Sequence, residues 1–349
     1  MRSNNGAECG MSGKILLTGG AGYIGSHICV ALANAGFTPV IFDNFSNARR
    51  DVVGRLSDLT GRPVLCHEGD VLNTADLAAV FAAHRFEAVV HLAARKAVGE
   101  SVRLPLDYFQ TNLSGLLNLL FAMRRAGVRR MVFSSSATVY AETDVLPIPE
   151  TARKGYSSPY AFTKLMGERM IEQAAEADPD WRFGILRYFN PAGAHHSGHI
   201  GEDPTHLPNN LMPFLGKVAT GELPALLIYG NDYPTPDGTG VRDYIHVEDL
   251  ARGHVASLRA LLERNLTHAV NLGSGEGHSV MDMLHGYSRA VGRALPFVVA
   301  PRRAGDLAAY YADPTLAADL LGFRTELGID DMCVSSWRWA TWARDHLAG

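Results

Sequence analysis

The sequence predicts an α/β chain: a Rossmann-type doubly wound parallel sheet followed by a smaller mixed α/β part. Three observations carry that expectation. From Lys14 to about Asn190, short apolar runs alternate with amphipathic stretches, as in strands covered on both faces by crossover helices. A glycine-rich turn, TGGAGYIGSH, joins the first apolar run to the first amphipathic one. Through residues 191–243 the chain becomes rich in Gly, Pro, Asn and Asp, and turn signals replace the regular alternation.

In chain order, KILLTG reads as a strand, residues 23–36 as a helix and TPVIFD as the second strand. PVLCHEGD, AVVHLAA, RMVFSSS and FGILRYFN are further strands, with helices near 74–84, 101–126 and 158–177 between them. Beyond them a short helix is expected near 209–220, and strands near 226–229, 268–273 and 296–300 are mixed with further helices. The expected division is a flexible leader at 1–13, a dinucleotide-binding unit at 14–190 and a smaller ligand-binding unit at 191–349, with some chain crossing between the last two. Ligands are expected in the crevice outside the carboxyl ends of the strands.

Composition narrows the function classes. The 349 residues are 47% hydrophobic and 19% charged, an ordinary globular profile with ample material for a core. A net charge of -4 and the lack of a long basic cluster argue against nucleic acid or an anionic membrane as partner. No apolar run approaches the ~18 residues of a membrane span. The opening MRSNNGAECGMSG lacks the apolar core of a signal peptide, and Met11 is an alternative start. Cys9, Cys29, Cys66 and Cys333 are scattered without a Cys-x-x-Cys, which is expected of free thiols in a reducing cytoplasm.

The glycine turn carries the first chemistry. Gly19 permits the tight turn, Gly22 lets backbone approach a pyrophosphate, and Gly25 allows close helix–strand packing. The following helix N-terminus offers free N–H groups to phosphates. Asp43 closes the second strand, where a carboxylate accepts ribose hydroxyls and repels a 2′-phosphate, favouring NAD over NADP. Asp70, after the third strand, is a candidate acceptor for the adenine amine. Tyr23, Ile24, Asn44, Val71, Leu92 and Ala93, beside these positions, complete the strand-end part of the expected cofactor set.

A second motif, SSPYAFTK, places Ser158 as a helix cap, Pro159 in the first turn, and Tyr160 and Lys164 on one face. Alone, Tyr-x-x-x-Lys says little. Together with the glycine turn and with SSSATVY at 134–140, it resembles the extended short-chain dehydrogenase/reductase family. KAVGES, LRYFNPAGAH, PNNLMP, YGNDYPTPDGTGVRDYIHV and PRRAGDLAAYYAD narrow the likeness to that family's 4-epimerases of UDP-glucose and UDP-galactose, from about residue 14 to near the C-terminus. Two departures are visible. Ala94 and Arg95 precede Lys96 where a Gly and an apolar residue are expected, and Tyr229 stands where Phe is common.

The resemblance implies NAD as cofactor, a nucleotide sugar as substrate, and Tyr160, Lys164 and Ser136 as the catalytic residues. It implies Lys96 and Asn112 on the cofactor side, and Asn190, Asn210, Leu211, Tyr229, Arg242, Arg303, Asp306 and Tyr310 around the substrate. Arg242 and Arg303 are the expected diphosphate clamps, because guanidinium forks match phosphate oxygens. Tyr310 is expected to exclude N-acetylated sugars by volume. A homodimer through residues 101–126 and the helix starting at Tyr160 is also implied. Related 4,6-dehydratases carry an Asp-Glu pair after the serine; here Ala137 and Thr138 follow Ser136 and cannot act as an acid and base for water elimination. A related dehydratase, or an epimerase of uronic or pentose sugars, is the alternative.

The expected chemistry sets a requirement on Tyr160. A free phenol titrates near ~10, so acting near ~7 needs about 4 kcal/mol of preferential phenolate stabilisation. Lys164 at about 5 Å with an effective dielectric of ~20 supplies roughly 3 kcal/mol. The remainder is assigned to the positive nicotinamide ring. Finally, AHHSGHIGEDPTH gathers His195, His196, His199 and His206 without helical spacing or a nearby cysteine, so no metal is expected there.

Overall fold

The computed structural model describes residues 13–203, 210–303 and 305–347. Residues 1–12 of the expected leader, with Cys9 and Met11, lie outside the described residues, as does His206.

The first half alternates strands and helices: β1 (Lys14–Thr18), α1 (Tyr23–Asn34), β2 (Thr38–Asp43), α2 (Val52–Thr60), β3 (Leu65–Glu68), α3 (Thr74–Ala83) and β4 (Ala88–His91). Then come α4 (Val98–Arg103), α5 (Pro105–Phe109), a π-turn (Gln110–Ser114), α6 (Gly115–Arg125), β5 (Arg130–Ser136), α7 (Pro159–Ala177), β6 (Arg182–Tyr188) and β7 (Asn190–Ala192). The remainder contains α8 (Leu211–Thr220), β8 (Leu226–Tyr229), β9 (Val241–His246), α9 (Val247–Glu263), β10 (His268–Leu272), β11 (Gly277–Ser279) and α10 (Val280–Val291). It closes with β12 (Phe297–Ala300), β13 (Ala309–Tyr310), α11 (Thr315–Leu321) and α12 (Ile329–Leu347).

Seven strands form the main sheet in the order β10-β6-β5-β4-β1-β2-β3, and every pairing is parallel. The strict two-residue period explains why both faces are covered. Ile15, Leu17, Val90, Val132 and Leu186 enter one core with α1, α2 and α9. Their neighbours Leu16, Val89, Met131, Phe133 and Ile185 enter the other with α3, α6 and α7. The strand order reverses between β1 and β4, which opens a crevice at their carboxyl ends. The sheet takes its seventh strand, β10, and one covering helix, α9, from beyond Asn190.

Two stretches break where one continuous element was expected. The helix near 101–126 is interrupted at Leu104 (φ -128, ψ 53), because the residue before Pro105 is pushed out of the α region. It is interrupted again by the π-turn around the buried Asn112. FGILRYFN ends its part in the main sheet at Tyr188, and Asn190 starts β7, which pairs with β9 in a separate small sheet. That small sheet, with β11 and β13, and a core of α8, α10 and α12 residues complete the C-terminal part.

Candidate active site

The glycine turn sits at the carboxyl end of β1 beside the strand-order reversal. Gly19 has φ +72, and a Cβ there would lie 2.7 Å from the Ala93 amide nitrogen. A Cβ on Gly25 would lie 2.3 Å from the Gly19 carbonyl oxygen, so this position must be bare for the turn to close. Gly22 differs: a Cβ there would meet only that same carbonyl oxygen, at 3.4 Å. A methyl at 22 would stand on the face that the bare backbone leaves open to a pyrophosphate. Gly22 also leaves α1 without a side-chain cap, so its first N–H groups are available to an anion. The cradle fits a dinucleotide.

Asp43 is buried at the end of β2. Its Oδ2 accepts from the Ala21 N–H at 2.9 Å and its Oδ1 from the Phe45 N–H at 2.9 Å. Burial raises its pKa, and those two backbone bonds oppose the rise. The carboxylate therefore shapes the turn it adjoins. Asn44 donates to Asp70 Oδ2 at 2.8 Å, while Asp70 Oδ1 accepts from the Leu72 N–H at 2.8 Å. Val71, Leu92 and Ala93 follow β3 and β4 on the same rim. Asn112, expected on the cofactor side, is held in place by the protein. Both of its amide donors go to protein, to the Arg95 carbonyl and Thr163 Oγ1, and its Oδ1 accepts from the Arg95 N–H. It fastens the chain after β4 to α7.

The end of β5 and the start of α7 form the reactive wall. Ser158 caps α7, its Oγ accepting from the Ala161 N–H at 3.2 Å, and Pro159 occupies the first turn. That start fixes Tyr160 in the first turn and Lys164 one turn on. The three serines then take three separate tasks. The Ser134 carbonyl accepts from Lys164 Nζ at 2.7 Å. Ser135 Oγ donates to Glu168 Oε1 at 2.6 Å. The Ser136 hydroxyl lies near enough to the Tyr160 phenol to favour its ionised form, and it accepts from Thr138 Oγ1 at 3.0 Å.

Burial pushes the Tyr160 phenol up to about 12, and only the Ser136 hydrogen bond pulls it down. Lys164 turns its ammonium to the Ser134 carbonyl and lies 5.9 Å from the phenol ring centroid. Burial brings Lys164 itself down to about 8. Burial opposes the phenolate and the Ser136 contact favours it, with the Lys164 ammonium buried one helical turn away.

The small sheet carries the opposite side of the cleft. Asn190 pairs with Tyr244, and Arg242 with Tyr310, in adjacent registers of β7, β9 and β13. Tyr310 donates to the Ala137 carbonyl at 2.6 Å, which sets its ring next to the residue after Ser136. Arg242 reaches Asp306 Oδ1 at 3.3 Å. Arg303 lies over the Tyr229 ring at 3.9 Å, so the expected stacking tyrosine and the expected phosphate clamp occupy one spot. Lys96 and Asn210 both donate to Glu202 Oε1, at 2.9 and 2.7 Å, with Leu211 opening α8 immediately after Asn210. Tyr23 donates to the Gly193 carbonyl at 2.7 Å and so fastens the glycine turn to the start of this side.

Comparison with known proteins decides the family. Residues 15–273 match the model of the NAD dependent epimerase/dehydratase family. The chain belongs to that family. It is 51% identical to a UDP-glucose 4-epimerase of Yersinia pestis over 93% of this chain and 96% of the relative. It is 50% identical to the human UDP-glucose 4-epimerase over 94% of this chain and 97% of that one. Among solved structures, the UDP-glucose-4-epimerase of Stenotrophomonas maltophila, with bound NAD and formylated UDP-arabinopyranose, superposes with a TM-score of 0.94 at 44% identity, covering 95% and 99% of the two chains. That of Bifidobacterium longum, in complex with NAD+ and UDP, gives 0.90 at 45% identity, with the same coverage.

In this member of the epimerase/dehydratase family, three acidic residues escaped the sequence reading. Glu168 lies on the Tyr160–Lys164 face of α7, so helical spacing was a signal that could have found it. Glu202 joins Lys96 to Asn210, and Glu248 meets His195 and His196. No local spacing announces either of those.

Proposed function

We infer that the chain catalyses the reversible inversion of C4 in UDP-glucose and UDP-galactose, using NAD, as part of galactose metabolism. The observation that carries this reading is the wall in which Ser136, Tyr160 and Lys164 stand together, reached from across the cleft by Tyr310. The identity of about half its residues with UDP-glucose 4-epimerases over nearly full length supports it.

Gly19, Gly22, Tyr23, Ile24 and Gly25 would hold the pyrophosphate of NAD, Asp43, Asn44, Asp70 and Val71 its adenosine, and Leu92, Ala93, Lys96, Asn112, Tyr160 and Lys164 its nicotinamide end. Bound NAD supplies a two-electron acceptor and donor at the sugar C4. Everything else is the protein's part. Tyr160 takes the proton of the 4-hydroxyl, directly or through Ser136, as C4 becomes a ketone. The sugar then presents its other face, and Tyr160 returns the proton. Lys164 keeps a positive charge next to the phenol. Arg242 and Arg303 hold the diphosphate, Asp306 a ribose hydroxyl, Asn190 and Asn210 the diphosphate and sugar, and the Leu211 backbone and Tyr229 the uracil. Because Arg303 rests on Tyr229, a stacked base has to share or displace it.

Incubation of the purified protein with UDP-galactose and no added NAD tests the reading. UDP-glucose should accumulate, and Tyr160→Phe should lower kcat by about three orders of magnitude with retained cofactor. A full-rate Tyr160→Phe enzyme, or a 4-keto-6-deoxy product, would overturn it.

A homodimer in the cytoplasm belongs to the same proposal. Val102, Leu106, Leu117 and Phe121 are exposed apolar side chains along α4, α5 and α6, on the surface expected to pair. Cys29, Cys66 and Cys333 are free thiols, and among the described residues no helix is long and apolar enough to cross a membrane. Light scattering should give twice the chain mass; a monomer would count against pairing.

A further inference from the structure

His195 and His196 follow β7, and their rings lie 4.1 Å apart between centroids, tilted by 33°. Both face one carboxylate from a distant part of the chain, Glu248 in the first turn of α9. Glu248 Oε1 stands 2.8 Å from His196 Nδ1 and 3.5 Å from His195 Nε2. We propose that His195, His196 and Glu248 form a binding site for one first-row divalent transition cation, with Zn2+ as its representative.

The spacing is that of a coordination shell. Donors bound tetrahedrally at about 2.0–2.1 Å from a metal lie roughly 3.3 Å from one another. The two separations to Glu248 bracket that value, and all three donor atoms fall within 4.8 Å of each other. The donor types select the cation. Two imidazoles and one carboxylate suit Zn2+, Co2+, Ni2+ or Cu2+, whereas Mg2+ and Ca2+ take oxygen donors. Three protein donors leave a fourth position for water. Exposure grades across the site, with side chains 8% exposed at His195, 23% at Glu248 and 76% at His196. One ligand is thus anchored in the protein while another opens to solvent as an entry path.

The Ser197 N–H donates to His195 Nδ1 at 3.2 Å, with Ser197 Oγ 2.8 Å from the same nitrogen. This places the His195 proton on Nε2 toward Glu248, so a cation binding there must displace it, and binding should weaken as pH falls. A bound cation would clamp the loop after β7 onto the first turn of α9. None of the three donors has a part in the proposed reaction, so the failure of this site leaves that reading untouched.

Tag-free holoenzyme, stripped of metal with EDTA, should be titrated calorimetrically with ZnCl2. One site per chain with micromolar affinity is expected, together with a rise in Tm. His196→Ala, at an exposed position, and Glu248→Gln should each weaken Zn2+ by at least about tenfold. Co2+ should give a visible ligand-field band that His196→Ala loses, and MgCl2 should give no saturable heat. Lack of saturable Zn2+ binding would overturn the proposal. So would unchanged affinity in His196→Ala, because it would assign the metal to other residues.

Discussion

At the end of β5, the Glu168 side chain has no exposed surface and accepts from Ser135, Lys154 and, through two nitrogens, Arg187. Across the cleft, the Asp306 side chain is 36% exposed and meets only Arg242 among the described partners. The first carboxylate belongs to a buried lattice that continues through Arg187 to Tyr140 and Asn271. The second belongs to a rim of paired but solvated charges. The difference teaches where each kind of work is done. The proposed acid–base chemistry needs a hydroxyl and a phenol held within a few tenths of an ångström, and the lattice behind Ser135 supports that register. Nucleotide binding needs charge that a ligand can recruit, and exposed side chains reorient at little cost.

The contrast can be broken most forcefully at Glu168. Glu168→Ala leaves Arg187 buried without its partner, and a loss of about 3–5 kcal/mol in unfolding free energy is expected; chemical denaturation measures it. The milder Ser135→Ala removes one bond and should lower kcat for UDP-galactose while KM stays within about twofold. On the rim the pattern should reverse. Arg303→Ala should raise KM about tenfold or more, as expected for a lost charge-assisted contact, with stability changed by no more than about 0.5 kcal/mol. A large stability loss at Arg303, or none at Glu168, would erase the distinction.

Tyr310 lies between the two regions. Replacing it with Ala removes ring volume and the bond to the Ala137 carbonyl. Turnover of UDP-N-acetylglucosamine relative to UDP-glucose should rise about tenfold. Comparable turnover of both sugars by the unaltered enzyme would remove Tyr310 as the determinant.

The smallest effect concerns pH. Burial lowers His91 from 6.5 to about 3 and His254 from 6.5 to about 4. Between pH 6.5 and those values the unfolded chain binds protons that the folded chain does not, so stability falls as pH drops below about 6.5. Glu168 acts lower on the scale. Burial would raise its pKa, but the bonds from Arg187, Lys154 and Ser135 hold it below its ordinary 4.5. Its stabilisation is therefore complete above pH 4.5 and lost as pH falls through the lowered value. Tm should decline from pH 7.5 to pH 5.5, and His91→Asn should decline less steeply.

Much of this molecule was readable beforehand because its chemistry sits on local motifs. The glycine turn, the Ser158 cap and the three serines are contiguous stretches whose physics is short-range. TPVIFD and RMVFSSS are strands from first to last residue as expected. What escaped was long-range. Only the fold reveals that the Asn112 amide donates to Arg95 and Thr163. Glu248 meets His196 across 52 positions of sequence. Spacing along α7 likewise gives the Tyr160–Lys164 proximity but not the depth of burial or the turn of the ammonium toward Ser134.

In the proposed reaction Tyr160 becomes a base through Lys164 and the positive ring of the oxidised cofactor together. The direct measurement is the ultraviolet titration of Tyr160 in holoenzyme, with Tyr160→Phe subtracted, for the oxidised and the reduced cofactor. The account predicts an apparent pKa clearly lower in the oxidised form. Equal values in the two forms would contradict it.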